Sequence, residues 1–172
     1  RQCGSSQQAV HFVAQGVIAG AYDLGIACGV ESMTRTPMGA NAAGGTGPFS
    51  GQWIQAVGGR FHPTQFEVSQ ILAERYGITR EDMDAYAAES HRRAQENWDN
   101  GHFAKETMPV PVRDEEGAET DEVFDRDQGL RPESTVESLA KLPSAASWDP
   151  SIAPDITAGN ASQTSDGAAA ML

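Results

Sequence analysis

Cys3 is the residue whose surroundings best suit covalent chemistry. It precedes residues 5–19 (SSQQAVHFVAQGVIA), a run without Asp, Glu, Lys or Arg that reads as a helix. At the start of a helix the first backbone N–H groups lack intrahelical partners, and the aligned peptide dipoles leave partial positive charge there. Both effects favour a thiolate, and the thiolate is the nucleophile. Gly4 is expected to permit the sharp turn of a nucleophile elbow, although no GxSxG pattern is present. The competing reading is a small buried thiol in a core, and position alone leaves both open. Cys28, in a short uncharged run, is expected to be buried and inert. His11 and His91 fall inside expected helices as core or surface residues, His102 in a turn and His62 in a loop. None has a partner at metal-ligand spacing, so no metal site is expected.

The elements around these residues follow from periodicity. Val10, Val13 and Val17 mark one face of the first helix, with Phe12, Ala14 and Ile18 covering much of the rest, so a core helix is expected. Residues 24–30 (LGIACGV) read as a strand covered on both faces. Helix then buried strand implies a βαβ unit, whose first strand would precede Arg1. Residues 34–63, rich in Gly and Pro, read as a long loop. Residues 65–76 predict an amphipathic helix with Phe66, Ile71 and Leu72 inward, stopped by Gly77. Thr79 caps the next helix, with Asp82 in its third position and a stripe of Met83, Tyr86, Ala87, Ser90, Ala94 and Trp98 running to about Asn100. Residues 108–112 (MPVPV) predict an edge strand, residues 122–124 its partner, and residues 137–142 a short helix capped by Ser134 or Thr135.

The 172 residues carry 24 acids and 12 bases, a formal charge of −12. Residues 81–127 alone hold fifteen acids against five bases, whereas residues 2–22 hold no such charge. A nucleic-acid partner is not expected, because phosphate contact needs a basic surface. No run of about 18 apolar residues exists, so no membrane-inserted helix is expected. Two cysteines suit a reducing, cytoplasmic setting. The start at Arg1 and the close in the apolar run AAAML read as an internal fragment of a longer chain.

Three separated motifs then carry a resemblance. Residues 1–9 (RQCGSSQQA), with 16–22 (GVIAGAY) and 29–33 (GVESM), stand at one end; residues 157–162 (TAGNAS) and 165–170 (SDGAAA) stand at the other. Between them lie residues 127–131 (DQGLR) and 134–142 (STVESLAKL). In this order and over nearly the whole chain they resemble the thiolase family, acyl-CoA:acetyl-CoA C-acyltransferases. The resemblance implies an α/β thiolase-like fold, part of one α/β/α layered half, with an inserted α+β loop domain. It places residues 1–33 in the N-terminal half, 34–155 in the loop domain and 156–172 in a return into the N-terminal half. It implies that Cys3 is the nucleophile that carries the acyl group as a thioester. Arg131 and Ser138 match positions near the nucleotide of coenzyme A, and Ala158 and Ser162 match positions along the pantetheine arm.

The implied activity is thiolytic cleavage of a 3-ketoacyl-CoA to acyl-CoA and acetyl-CoA, or the reverse Claisen condensation, as in β-oxidation and its biosynthetic counterpart. Coenzyme A would be a co-substrate, with no permanently bound cofactor, and the assembly a homodimer or homotetramer. Residues 64–69 (TQFEVS) replace an MGxTAE-like turn common in the family, in a region that helps line the acyl tunnel, so a longer or bulkier acyl group is expected. The family's GHP histidine, second cysteine and NEAF-type asparagine are not among these residues, so the fragment alone is expected to be nearly inactive. Two alternatives stay open: a ketoacyl-synthase-type condensing enzyme, and a non-catalytic acyl-CoA-binding or assembly module that keeps Cys3 for packing.

Overall fold

The computed structural model describes residues 3–40, 44, 50–56 and 64–172. Internal contacts divide the chain into two units, residues 1–60 with 164–172 and residues 61–163. The sequence places its boundaries at 33/34 and 155/156; the contacts change at 60/61 and 163/164.

The first unit contains α1 (Ser5–Ile18), β1 (Ala27–Glu31), α2 (Gly51–Ala56) and β4 (Gly167–Met171). β1 pairs antiparallel with β4, from Ala27 opposite Met171 to Glu31 opposite Gly167. The helix α1 lies against β1. Its close approach depends on Gly29, where a Cβ would fall 1.8 Å from the Ser6 hydroxyl oxygen. Val10 and Val13 on the expected face are half-buried, but Val17, Phe12 and Ile18 are exposed. The expected core helix is therefore covered on one side only. The expected doubly covered strand is also corrected: Ala27 is buried, while Ile26, Cys28 and Val30 are exposed. The reason is geometric: α1 packs on β1, whereas all five residues of its partner β4 are exposed. Within the expected long loop, Gly51–Ala56 forms a short helix, and the Ser50 hydroxyl accepts from the Trp53 N–H. His62 lies outside the described residues.

The second unit contains α3 (Gln65–Tyr76), α4 (Arg80–Asp99), the antiparallel hairpin of β2 (Val110–Arg113) and β3 (Glu119–Phe124), and α5 (Val136–Leu139). Each of these three α-helices begins at a threonine that caps it. Thr64 accepts from the Glu67 N–H. Thr79 and Asp82 exchange two bonds in a capping box, as do Thr135 and Ser138. Such reciprocal caps satisfy donors that the helix leaves unpaired. Pro111 sits in a two-stranded hairpin, where it removes no central ladder bond.

The inward faces differ from those the spacing predicts. In α3, Ile71 and Leu72 are exposed, and Gln70 and Ala73 are buried with Phe66 beside them. The Gln70 amide explains this: its Nε2 donates to Asp155 Oδ2 at 2.9 Å, while its Oε1 accepts the Asp155 N–H at 3.0 Å. In α4, Tyr86 is 81% exposed and the fully buried residue is Asp84. The core of this unit is small: Ala146, Ala153 and Ile156, packed against Phe66, Met83, Ile152 and Ala161.

Local electrostatics hold α4. Glu89 accepts from Arg92 and Arg93, and these bonds hold its carboxyl at about 2 instead of 4.5. The Asp82 carboxyl is also lowered, chiefly by the Thr79 hydroxyl and then by the Thr79 N–H. Because the folded values are depressed, this stabilisation is complete above the ordinary carboxylate range and is lost as pH falls through the folded values. In a peptide of residues 78–101, where these contacts are all local, helicity by circular dichroism should therefore fall between pH 4.5 and about 2. A Glu89→Gln peptide should start lower at pH 7 and show a shallower fall.

Candidate active site

Cys3 has φ +53°, the left-handed region, and is the only non-glycine residue there among the described residues. Such a conformation costs a non-glycine residue of order 1–3 kcal/mol. The positive φ falls on the cysteine itself and not on Gly4, the N-cap of α1, which has φ −125°. No side chain caps this helix start, and its first turn holds no acid. The positive end of the α1 dipole is thus not neutralised by a neighbouring carboxylate. Cys3 is exposed, and a shallow cleft of about 400 Å³ runs over Ser5, Gln8, Ala9 and Phe12. Cys28, expected to be buried, is an exposed free thiol.

The second unit carries a larger basin of about 1000 Å³. Arg131, Ser138 and Ala158 all line it; Ser162 does not, and its hydroxyl donates to the Gln163 carbonyl at 3.3 Å. One wall is α4, which contributes Ser90, His91, Ala94 and Trp98. Trp98 packs on Phe103, with ring centroids 5.7 Å apart, and the Arg126 guanidinium lies over Trp98 at 5.5 Å. Arg80, Arg92, Arg93 and Arg113 are held in ion pairs, whereas the Arg131 guanidinium makes none among the described residues. The charge on the basin wall is therefore available to an anionic ligand. Ser138 donates its hydroxyl proton to the Thr135 carbonyl and accepts the Thr135 N–H, so toward a ligand it can only accept.

The opposite wall rests on a buried network. Asp84 Oδ2 accepts from Arg80 Nε at 2.7 Å, and its Oδ1 accepts from Asn160 Nδ2 at 3.0 Å. Arg80 also donates to the Leu139 carbonyl at 2.7 Å, and Asn160 Oδ1 takes the Thr157 N–H at 2.8 Å. These bonds fix the turn that presents Ala158. Gly159 lets that turn lie on α5, since a Cβ there would meet Leu139 at 2.6 Å and Leu142 at 2.7 Å. Helix spacing from Asp84 through His91 to Trp98 is the signal that could have placed His91 on this wall; the stripe drawn through Tyr86 obscured it. Residues 64–69, where the sequence departs from the MGxTAE-like turn, form the cap and first turn of α3. Among the described residues no group of three or more His, Cys, Asp or Glu is disposed to hold a metal ion, and no helix is long and apolar enough to cross a membrane.

Comparison with known proteins bears on both the backbone at Cys3 and the basin that Arg131 lines. The family model "Thiolase, N-terminal domain" matches residues 1–172. The chain is 39% identical over 175 residues to the peroxisomal 3-ketoacyl-CoA thiolase of Homo sapiens, covering all of this chain and 39% of that protein. It is 36% identical over 178 residues to the 3-ketoacyl-CoA thiolase of Bacillus subtilis, covering all of this chain and 43% of that protein. The crystal structure of the dimeric peroxisomal thiolase of Saccharomyces cerevisiae matches with TM-score 0.73 and 31% identity, over 99% of this chain and 41% of that one. The chain belongs to the thiolase family and has its α/β thiolase-like fold. It spans about two-fifths of the length of these relatives.

Removing the Asp84 carboxylate leaves Arg80 and Asn160 without their shared partner in the interior. Asp84→Ala in the intact protein should cost about 3–5 kcal/mol of stability, read as a large drop in melting temperature. Tyr86→Ala, on the solvent side of the same helix, should stay within about 0.5 kcal/mol.

Proposed function

We propose that this chain is the N-terminal part of a 3-ketoacyl-CoA thiolase, with Cys3 as nucleophile and the basin of Arg131, Ser138 and Ala158 as the coenzyme A site. The observation that carries the reading is the left-handed backbone of Cys3 at an uncapped helix start, within a chain that matches the family over its whole length. Strain of this kind persists where the surrounding structure holds it, and it turns a side chain out of the helix line toward solvent. Curated relatives named as 3-ketoacyl-CoA thiolases support the substrate class.

In the thiolytic direction the Cys3 thiolate attacks the keto carbon of the 3-ketoacyl-CoA. The tetrahedral oxyanion collapses with cleavage of the carbon–carbon bond. The acyl group stays on sulfur as a thioester, and the electron pair leaves on the acetyl-CoA carbanion, which takes up a proton. Acetyl-CoA departs. The thiol of free coenzyme A, deprotonated by a base, then attacks the thioester and releases acyl-CoA with the Cys3 thiolate regenerated. Backbone N–H groups near Cys3 would stabilise part of the oxyanion charge. The remaining acid–base groups would come from parts of the enzyme beyond these residues. Arg131 would receive coenzyme A phosphate charge, and Ala158 would leave room for the pantetheine arm. Ser162 is retained as a pantetheine contact in this reading, with its main-chain neighbours Ala161 and Gln163 on the basin wall.

The dimeric state of the yeast relative supports a homodimer. Two free cysteines fit a reducing compartment, and the cytoplasm is the proposed one. The departure at residues 64–69 supports an acyl group longer than that of acetoacetyl-CoA.

In the intact enzyme, Cys3→Ala should lower kcat by more than about 1000-fold while leaving the melting temperature unchanged or raised. Mass spectrometry after incubation with acyl-CoA should find the acyl adduct on Cys3 and on no other cysteine. Retained turnover in Cys3→Ala would overturn the assignment. Arg131→Ala should raise KM for coenzyme A at least about fivefold with little change in kcat.

A further inference from the structure

The imidazole of His91 ties α4 to the turn that carries Arg131. The Arg131 N–H donates to His91 Nδ1 at 3.2 Å, across forty residues of chain. Both residues line the same basin. A backbone N–H can only donate, so Nδ1 must hold its lone pair there, and the ring serves as the neutral Nε2–H tautomer. We infer that His91 is a positioning residue for coenzyme A binding, holding Arg131 in place through this acceptor; the inference rests on the assignment of the basin to coenzyme A.

The turn has few other tethers. Upstream, Asp127 Oδ1 accepts the Gly129 N–H at 2.7 Å, and downstream the Ser134 N–H donates to the Arg131 carbonyl at 3.1 Å. Both bonds lie within the turn and fix its shape without fixing its place against α4. Pro132 follows Arg131, so it offers no N–H and restricts Arg131 to extended backbone. The Arg131 main chain is thereby stiff; Arg126, five residues upstream, is tied to Gln95 and Trp98 of α4, and at Arg131 itself one bond from outside the turn sets its direction. Among the described residues that bond is the one to His91, because the guanidinium makes no ion pair of its own. Placement on α4 gives the anchor a rigid base. His91 stands two helical turns beyond Asp84, whose carboxylate locks the same helix to the Ala158 turn, so the two sides of the basin are referred to one helix. His91 need not touch the ligand for this role. It acts on the guanidinium through the main chain.

The test uses steady-state kinetics of the intact enzyme with coenzyme A varied. His91→Leu removes the acceptor and keeps an apolar bulk of similar size; His91→Asn places an amide oxygen where Nδ1 stood. The expected result is a KM for coenzyme A raised about fivefold or more in His91→Leu with kcat within twofold, and a KM within twofold of wild type in His91→Asn. An unchanged KM in His91→Leu overturns the inference when Arg131→Ala does raise KM, and so does an equal rise in both His91 variants. An unchanged KM in Arg131→Ala instead removes the basin assignment on which the inference stands. If His91→Leu fails to fold, ¹⁵N NMR of histidine-labelled wild type decides. The His91 signal, assigned by its loss in His91→Asn, must show an unprotonated Nδ1 and a protonated Nε2, and the reverse tautomer overturns the inference.

Discussion

A carboxylate with no exposure to water must find its counter-charge and its hydrogen bonds inside the protein, and Asp84 finds them on two other elements. Arg80 neutralises it from one turn away on α4 and donates from Nη2 to the carbonyls of Leu139 and Leu142. Asn160 reaches it from the turn after the unit's core, and its Nδ2 also donates to the Asp155 carbonyl. A buried charge pair adds little net stability over a hydrophobic pair of the same size, but it tolerates few geometries. Here it sets the register among α4, the end of α5 and the turn bearing Ala158. The apolar core beside it is two alanines and one isoleucine, too few to select one packing by shape alone. Directional bonds do that work, with Gln70 and Asp155 repeating the device on α3.

The distribution of charge follows a similar division. Most of the acidic excess lies on solvent faces of α4 and the hairpin, where Arg92, Arg93 and Arg113 are consumed in local pairs. Arg131 escapes this, although it lies in an acidic stretch and shares its basin with Glu106, Asp127 and Glu133. Asp127 is turned to its own loop, where it accepts the Gly129 N–H. Among the described residues Arg131 thus keeps an unpaired guanidinium within its basin, while Arg80, Arg92, Arg93 and Arg113 are held in ion pairs.

Much of this was legible in the residues, and the failures share a cause. Helix starts were readable because a cap is a local object: Thr79 with Asp82, and Thr135 before its short helix, depend on residues three apart. Helix ends and the hairpin were readable for the same reason. Inward faces were not, because the sequence pattern counts apolar side chains and these helices turn polar ones inward. Ile71 and Leu72 lost to Gln70, whose partner Asp155 stands 85 residues away, and Tyr86 lost to Asp84, which joins a local ion pair with Arg80 to a bond from Asn160, 76 residues away. His91 was missed by the same route. For α1 and β1 the error ran the other way: their composition suits full burial, while one face of each is open in this chain. The thiolase motifs located Cys3, Arg131, Ser138 and Ala158, and three of these converge on one basin that no single-residue pattern would have drawn.

The left-handed conformation at residue 3 has a further consequence. It falls on a cysteine, whereas the adjacent glycine, which would adopt it without strain, has ordinary backbone angles. The chain could relax by placing glycine at that position, and it would lose its sulfur in doing so. With Cys3 as the proposed nucleophile, reactivity and thermodynamic ease are opposed at a single codon: drift toward a sturdier protein and drift toward an inert one begin with the same step.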